Sequence, residues 1–212
     1  MKQYHKIQTV FHRSPESNYK ELMEGTWALP EFEMLQNIDW VWTEKIDGTN
    51  IRIKWDGSKV SFAGKSDEAQ TPVFLLKVLE QTFTHEKMAA CFGDTAEVCL
   101  YGEGYGAKIQ KGGNYIPDGV NFILFDCKVG NLWLSRENVA DIARKLDVII
   151  VPIMGVGSLM EAVNFVKQGF TSTISANKEY IAEGLIMKPK VDLLTRNGER
   201  VVAKIKHRDF KK

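Results

Sequence analysis

The chain has 212 residues, of which 44% are hydrophobic and 26% charged, and its formal net charge is +1. That is an ordinary globular balance in a chain long enough to bury a core. No stretch approaches the roughly 20 apolar residues that span a bilayer, and the start, Met1-Lys2-Gln3-Tyr4-His5-Lys6, lacks the apolar core of a signal peptide.

A soluble, cytoplasmic monomer is therefore expected. With no repeat, low-complexity tract or linker, residues 1–212 are expected to form one domain. Cys91, Cys99 and Cys127 are odd in number and form no CxxC pair, so buried, reduced thiols are expected. The net charge does not announce a nucleic-acid binder, but its distribution is uneven. From Lys188 to Lys212 there are nine Lys or Arg against three Asp or Glu. Such a run is either a solvated tail or a phosphate-facing surface.

In chain order, the apolar run Trp40-Val41-Trp42 leads into Glu44-Lys45-Ile46-Asp47-Gly48-Thr49-Asn50. This sets Lys45 at a strand end, where a tight glycine turn can expose its amine. Ile51–Trp55 alternates with period two, Asp56-Gly57 turns, and Val60–Ala63 resumes, which predicts a hairpin. Thr71-Pro72 supplies an N-cap and N1 proline for a helix to about Phe83. Val98–Tyr101 reads as a strand that ends in Gly102-Glu103-Gly104-Tyr105-Gly106, a carboxylate among glycines that allow close approach of a ligand. Phe122–Val129 reads as another strand and carries Phe125-Asp126.

Ser135 caps a helix with Val139, Ile142, Ala143 and Leu146 on one face. Ser158 with Glu161 forms a capping box for a further helix, which Gly169 stops. Glu183-Gly184 precedes the strand-like Leu185–Lys188. The last hairpin is expected between Leu193–Arg196 and Glu199–Lys206, turning at Asn197-Gly198. Within it Val202, Lys204 and Lys206 share a face. Strands outnumber helices and hairpins dominate, so the fold class is α+β with mostly antiparallel sheets.

Lys45-x-Asp47-Gly48, the Glu103 element, Phe125-Asp126, Glu183-Gly184 and Lys204-x-Lys206 occur in an order that resembles the superfamily of ATP-dependent ligases and mRNA capping enzymes. Within it, Glu44–Asn50 and the run Tyr101–Gly106 with Lys108–Lys111 most resemble the phage-type RNA ligases related to RNA ligase 2. The resemblance spans roughly residues 40 to 208. It implies the nucleotidyltransferase (ligase adenylation) fold, with antiparallel sheets flanked by helices. It also implies ATP and Mg²⁺ or Mn²⁺ as cofactors, and RNA with 5′-phosphate and 3′-OH ends as partner.

By the same resemblance Lys45 is the nucleophile that carries AMP. A lysine amine has an ordinary pKa of about 10.4 and must be deprotonated to attack, which nearby cations favour. Lys204 and Lys206 are expected to neutralise the α-phosphate, and Glu183 to contact the metal. Glu44, Asp47, Gly48 and Asn50 belong to the nucleophile's element, with Asn50 supporting the incoming phosphate. Glu103 is expected on the ribose hydroxyls. Phe125, beside Asp126, is expected to stack on adenine, whereas Phe122 faces the other way. Lys188 is a further basic position.

Lys65 stands where many relatives have Arg, and it lacks the bidentate fork. The chain stops six residues after Lys206, so neither the OB-type domain of DNA ligases and capping enzymes nor the helical appendage of RNA ligases is expected. A DNA ligase, a GTP-using capping enzyme and a non-catalytic nucleic-acid-binding module are the alternatives.

Overall fold

The computed structural model describes residues 3–95 and 97–211; Lys212 of the basic run lies outside them. In chain order the elements begin with β1 (Gln8–Thr9), β2 (Phe11–Arg13), β3 (Leu22–Trp27), α1 (Pro30–Met34) and β4 (Trp40–Lys45). Then come β5 (Thr49–Trp55), β6 (Val60–Ala63), α2 (Val73–Thr82), α3 (His85–Phe92), β7 (Val98–Gly106) and β8 (Val120–Val129). Next are β9 (Leu132–Trp133), α4 (Arg136–Leu146), β10 (Ile149–Ile150) and β11 (Ile153–Gly157). The chain closes with α5 (Leu159–Gln168), β12 (Gly184–Pro189) and β13 (Ala203–Lys206). The class is α+β with mostly antiparallel sheets, as expected; β1 with β13 and β10 with β8 are the parallel pairs. No helix among the described residues is long and apolar enough to cross a membrane.

The chain forms two compact units. The first comprises Asp47–Val151, Ile174–Asn177 and the N-terminal residues through Tyr4. Its sheet runs β10-β8-β7-β5-β6, with β9 added to β8. β5 and β6 form the expected hairpin, Trp55 opposite Val60, and the Asp56 carboxylate accepts the backbone N–H groups of Ser58 and Lys59 to close the turn. Ile51, Ile53 and Trp55 pack with Leu75, Leu79, Leu100 and Leu124 in one core. Ser135 caps α4, accepting from the Asn138 N–H, and Val139, Ile142, Ala143 and Leu146 are buried as expected. α2 departs from expectation: Pro72 is the N-cap rather than the first helical residue, and no side chain caps it. Proline presets φ but brings no acceptor.

The second unit comprises His5–Ile46, Pro152–Thr173 and Lys178–Lys212. Its sheet runs β1-β13-β12-β4-β11. α5 covers one face of it, burying Leu159, Ala162, Val163 and Val166 in a core with Trp40, Trp42, Leu185, Met187, Ala203 and Ile205. The capping box at Ser158 and Glu161 forms, and Gly169 ends the helix with φ +82°. The expected final hairpin is corrected. Thr195 and Glu199 close a small turn at Asn197-Gly198 and Leu194 bridges Arg200, but the β13 ladder pairs with β12, Met187 opposite Ala203. β12 buries Leu185 and Met187 whereas Leu194 is left exposed, so pairing with β12 joins β13 to the strand that carries the core.

The capping box yields a stability prediction. Ser158→Ala removes the acceptor for the Glu161 N–H and should cost about 1 kcal/mol. For a chain this size that is a fall of roughly 2–4 °C in Tm. A thermal melt that matches wild type would show that the box does not stabilise α5.

Candidate active site

The site is built on the face of the second unit's sheet that α5 leaves uncovered. β4 alternates strictly: Trp40, Trp42 and Glu44 are buried, and Val41, Thr43 and Lys45 face the other way. Registry carries that face across the sheet. Gly184 pairs with both Lys45 and Lys206, Ile186 with Thr43 and Lys204, and Lys188 with Val41. In β13 the apolar residues Ala203 and Ile205 are buried while Lys204 and Lys206 lie on the opposite side. Period-two side-chain alternation therefore puts Lys45, Lys188, Lys204 and Lys206 on one sheet face.

Glu183, just before β12, ties two of these lysines together. Its carboxylate accepts from Lys45 Nζ at 2.5 Å and pairs with Lys206 Nζ at 2.6 Å. The Glu183 side chain is 12% exposed. Burial works to raise its pKa, but the Lys45 charge and hydrogen bonds from Lys206 and Lys45 outweigh burial and hold it below the ordinary 4.5. Glu183 is thus a carboxylate at neutral pH. A depressed carboxylate contributes stability above its unfolded pKa and loses it as pH falls through the folded value.

Gly184 makes this geometry possible. Its φ is +156°, and a Cβ there would meet the Ile205 carbonyl oxygen and, at 2.8 Å, the Lys206 Cα. Any side chain would push β12 and β13 apart at the row that joins Lys45 to Lys206.

The structure places Glu44 on the opposite side of β4 from Lys45. It is 1% exposed and accepts from the Thr173 N–H at 3.1 Å and hydroxyl at 3.2 Å. Burial raises its pKa, opposed by the bonds from Thr173. Its visible work is to anchor the loop at Thr173, and the alternation Trp40, Trp42, Glu44 already held that signal.

In the first unit, the Asp47 N–H donates to the Tyr115 hydroxyl at 3.2 Å. A Cβ on Gly48 would meet the Gly104 carbonyl oxygen and, at 2.8 Å, Glu103 Cγ, so only glycine permits this close approach. Asn50 lies opposite Glu103 in the β5–β7 ladder. Its buried Oδ1 has no hydrogen-bond partner among the described residues. Glu103 is half-buried in a strand whose other residues are buried.

Phe125 is half-buried and meets the Tyr4 ring edge-on at 5.2 Å, whereas Phe122 is 1% exposed in the core against Phe83. Asp126 is buried and accepts from the Tyr4 hydroxyl at 2.7 Å. Lys65 is exposed. Beside it sequence reasoning missed Arg52, which is fully buried and donates to the Gly64 carbonyl at 2.7 Å and to Asp67 at 2.8 Å. Strand alternation alone reads Arg52 as a solvated position. Tyr4 was missed as well, since nothing local marks it.

Among the described residues no three His, Cys, Asp or Glu side chains converge as metal ligands. A single carboxylate, Glu183, suits a divalent cation that brings its remaining oxygens from substrate phosphates and water, as Mg²⁺ commonly does. The three cysteines are unbridged. Burial pushes each thiol's pKa up, so none is primed as a nucleophile.

The chain is similar in fold to RNA ligase of Naegleria gruberi. A mutant of that enzyme with ATP and Mn aligns with TM-score 0.66 and 17% identity, covering 96% of this chain and 58% of that one. Another mutant, with AMP and Mn, gives TM-score 0.67 at 16% identity over 97% and 56%. The enzyme with PPi gives 0.64 at 18% over 95% and 56%. This chain therefore spans little more than half the length of those proteins. No curated protein sequence matches it. The RNA ligase family model matches residues 38–206, from just before β4 to the end of β13. A match over that span means that the chain belongs to the RNA ligase family.

Proposed function

We propose that the chain is an ATP-dependent RNA ligase that carries AMP on Lys45 and joins a 5′-phosphate RNA end to a 3′-OH end, with residues 1–212 as its adenylation domain. The observation that carries this reading is the Glu183 carboxylate between Lys45 and Lys206, on a sheet face that also bears Lys204. Family membership and the ATP, AMP and Mn held by the similar Naegleria enzyme support it.

In the first step the neutral Lys45 amine attacks the α-phosphorus of ATP. An N–P bond forms, the bond to the β-phosphate oxygen breaks, pyrophosphate leaves, and the amine's proton goes to solvent. Glu183 holds the Lys45 amine in place beforehand. Lys204 and Lys206 face charge that builds on the α-phosphate. In the second step an RNA 5′-phosphate oxygen attacks that phosphorus, a P–O–P link forms, and Lys45 is released. In the third a 3′-OH attacks the RNA 5′-phosphorus, making the phosphodiester and expelling AMP. Mg²⁺ or Mn²⁺, when bound at Glu183 with the triphosphate, would supply charge neutralisation. The Asn50 Oδ1 and the Glu103 carboxylate have acceptor chemistry suited to donors on the nucleotide, Phe125 offers a half-buried ring to adenine, and Lys188 adds positive charge to the lysine face.

The reading is tested by incubating the protein with a divalent metal and α-labelled ATP or GTP. Protein-bound label from ATP alone is expected. Label from GTP alone would favour a capping-type enzyme, and no label from either would refute the reading.

Lys204→Ala and Lys206→Ala should each slow adduct formation roughly 10²- to 10³-fold, as loss of one charge-stabilising group does elsewhere, with circular dichroism unchanged. Wild-type rates in either folded variant would remove that lysine from the phosphate site.

Sealing should also prefer a ribose over a deoxyribose at the 3′-OH side, because the 2′-OH is what distinguishes RNA there. Binding should weaken steeply with salt as phosphate contacts displace counterions. Equal sealing of all-DNA nicks with little salt effect would contradict the RNA reading and favour a DNA ligase.

A further inference from the structure

Next to the lysine face, within the second unit, lies a cavity of about 520 Å³ that Lys204 and Lys206 share with the β2–β3 hairpin and the 3-10 turn His207–Phe210. Arg13 builds it. One guanidinium nitrogen donates to the Lys20 carbonyl at 2.8 Å and another to Asp209 at 2.6 Å, so Arg13 fastens the hairpin loop to the turn and its charge is answered by Asp209. Lys206 is likewise answered by Glu183. Two more cations on the wall, Lys20 and Arg208, are exposed and have no ion-pair partner among the described residues.

Thr9 and Tyr19 complete the wall, and Tyr19 is the unusual one. It is 65% exposed, and both Asn18 (φ +52°) and Tyr19 (φ +60°) are left-handed. That conformation is uncommon for a bulky L residue and persists only where the surroundings fix it. Here they do. The Tyr19 N–H donates to the Ser14 carbonyl at 2.9 Å. The Ser17 hydroxyl donates to the same carbonyl and accepts the Glu21 N–H, each at 3.0 Å. The loop therefore holds an aromatic ring in water at the rim of a basic cavity, where it contributes nothing to a core. Cations alone suffice for a phosphate or pyrophosphate. A ring beside them adds a stacking surface for a base, the combination that single-stranded nucleic acid recognises.

We propose that this cavity binds a nucleotide of the single-stranded RNA substrate, its phosphate between Lys20 and Arg208 and its base on Tyr19. This rests on the RNA ligase reading of the adjoining lysine face. It gives the hairpin 11–27 the task of holding the RNA strand.

The test is fluorescence anisotropy of a labelled single-stranded uridine oligoribonucleotide with the intact chain, at several salt concentrations and without ATP. Self-adenylation with ATP is measured in parallel. Tyr19→Ala should weaken RNA binding about fivefold or more, the range for loss of one stacked base, and Tyr19→Phe should restore it. Lys20→Ala and Arg208→Ala should each weaken RNA binding, and the double variant should lower the salt slope by about 0.7, the one phosphate contact they share on a single strand. All of these variants should adenylate at the wild-type rate. If wild type fails to adenylate while Tyr19→Ala still loses RNA, the ligase reading falls and the cavity stands as an RNA site. Unchanged RNA affinity in Tyr19→Ala and Arg208→Ala would overturn the proposal. So would a raised KM for ATP with RNA binding intact, which would assign the cavity to the triphosphate.

Discussion

A carboxylate taken out of water is costly unless opposite charge and hydrogen bonds meet it, and that constraint organises the lysine face. Glu183 is nearly buried and is met by Lys45 on one oxygen and Lys206 on the other. For both ammonium groups to reach it, β12 must lie between β4 and β13, with the row Lys45, Gly184, Lys206 in register. The absence of a side chain at Gly184 is part of the same arrangement, because the backbones close to a distance no Cβ tolerates. The apolar residues of these strands then turn to α5, and the lysines to the open face. Sheet registry, the α5 core and the charge cluster are thus one solution to one electrostatic problem.

That solution also bears on reactivity. An amine bonded to a carboxylate is held in place, and Lys45 must leave Glu183 before it can attack. A divalent cation arriving with a triphosphate would compete with Lys45 for Glu183, and the phosphates would bring negative charge to Lys204 and Lys206. Lys45, Lys204 and Lys206 already share one sheet face, so little reorganisation is needed when charge develops on a phosphate there.

Much of this could be read from the sequence, for local reasons. The β5–β6 hairpin, the α4 face below Ser135 and the Ser158–Glu161 box all depend on periodicity and capping within a dozen residues, and all appear in the structure. The shared face of Lys204 and Lys206 followed from period-two alternation in the same way. The unread parts are non-local or two-sided. β1 pairs with β13 across nearly the whole chain, and Tyr4 reaches Asp126 over 122 residues. Arg52 alternates like a solvated residue yet is buried, because Gly64 and Asp67 fold over its guanidinium. Glu44 neighbours the nucleophile in sequence, but strand alternation turns it inward, toward Thr173.

The central claim is that the amine held by Glu183 is the one that becomes covalently charged with AMP. Mass spectrometry of the protein digested after incubation with ATP and a divalent metal, under alkaline conditions that preserve a phosphoramidate, tests it most directly. The account predicts AMP on the peptide containing Lys45, at its side-chain nitrogen, and loss of the adduct in acid. AMP on any other residue, Lys204 and Lys206 included, would contradict it.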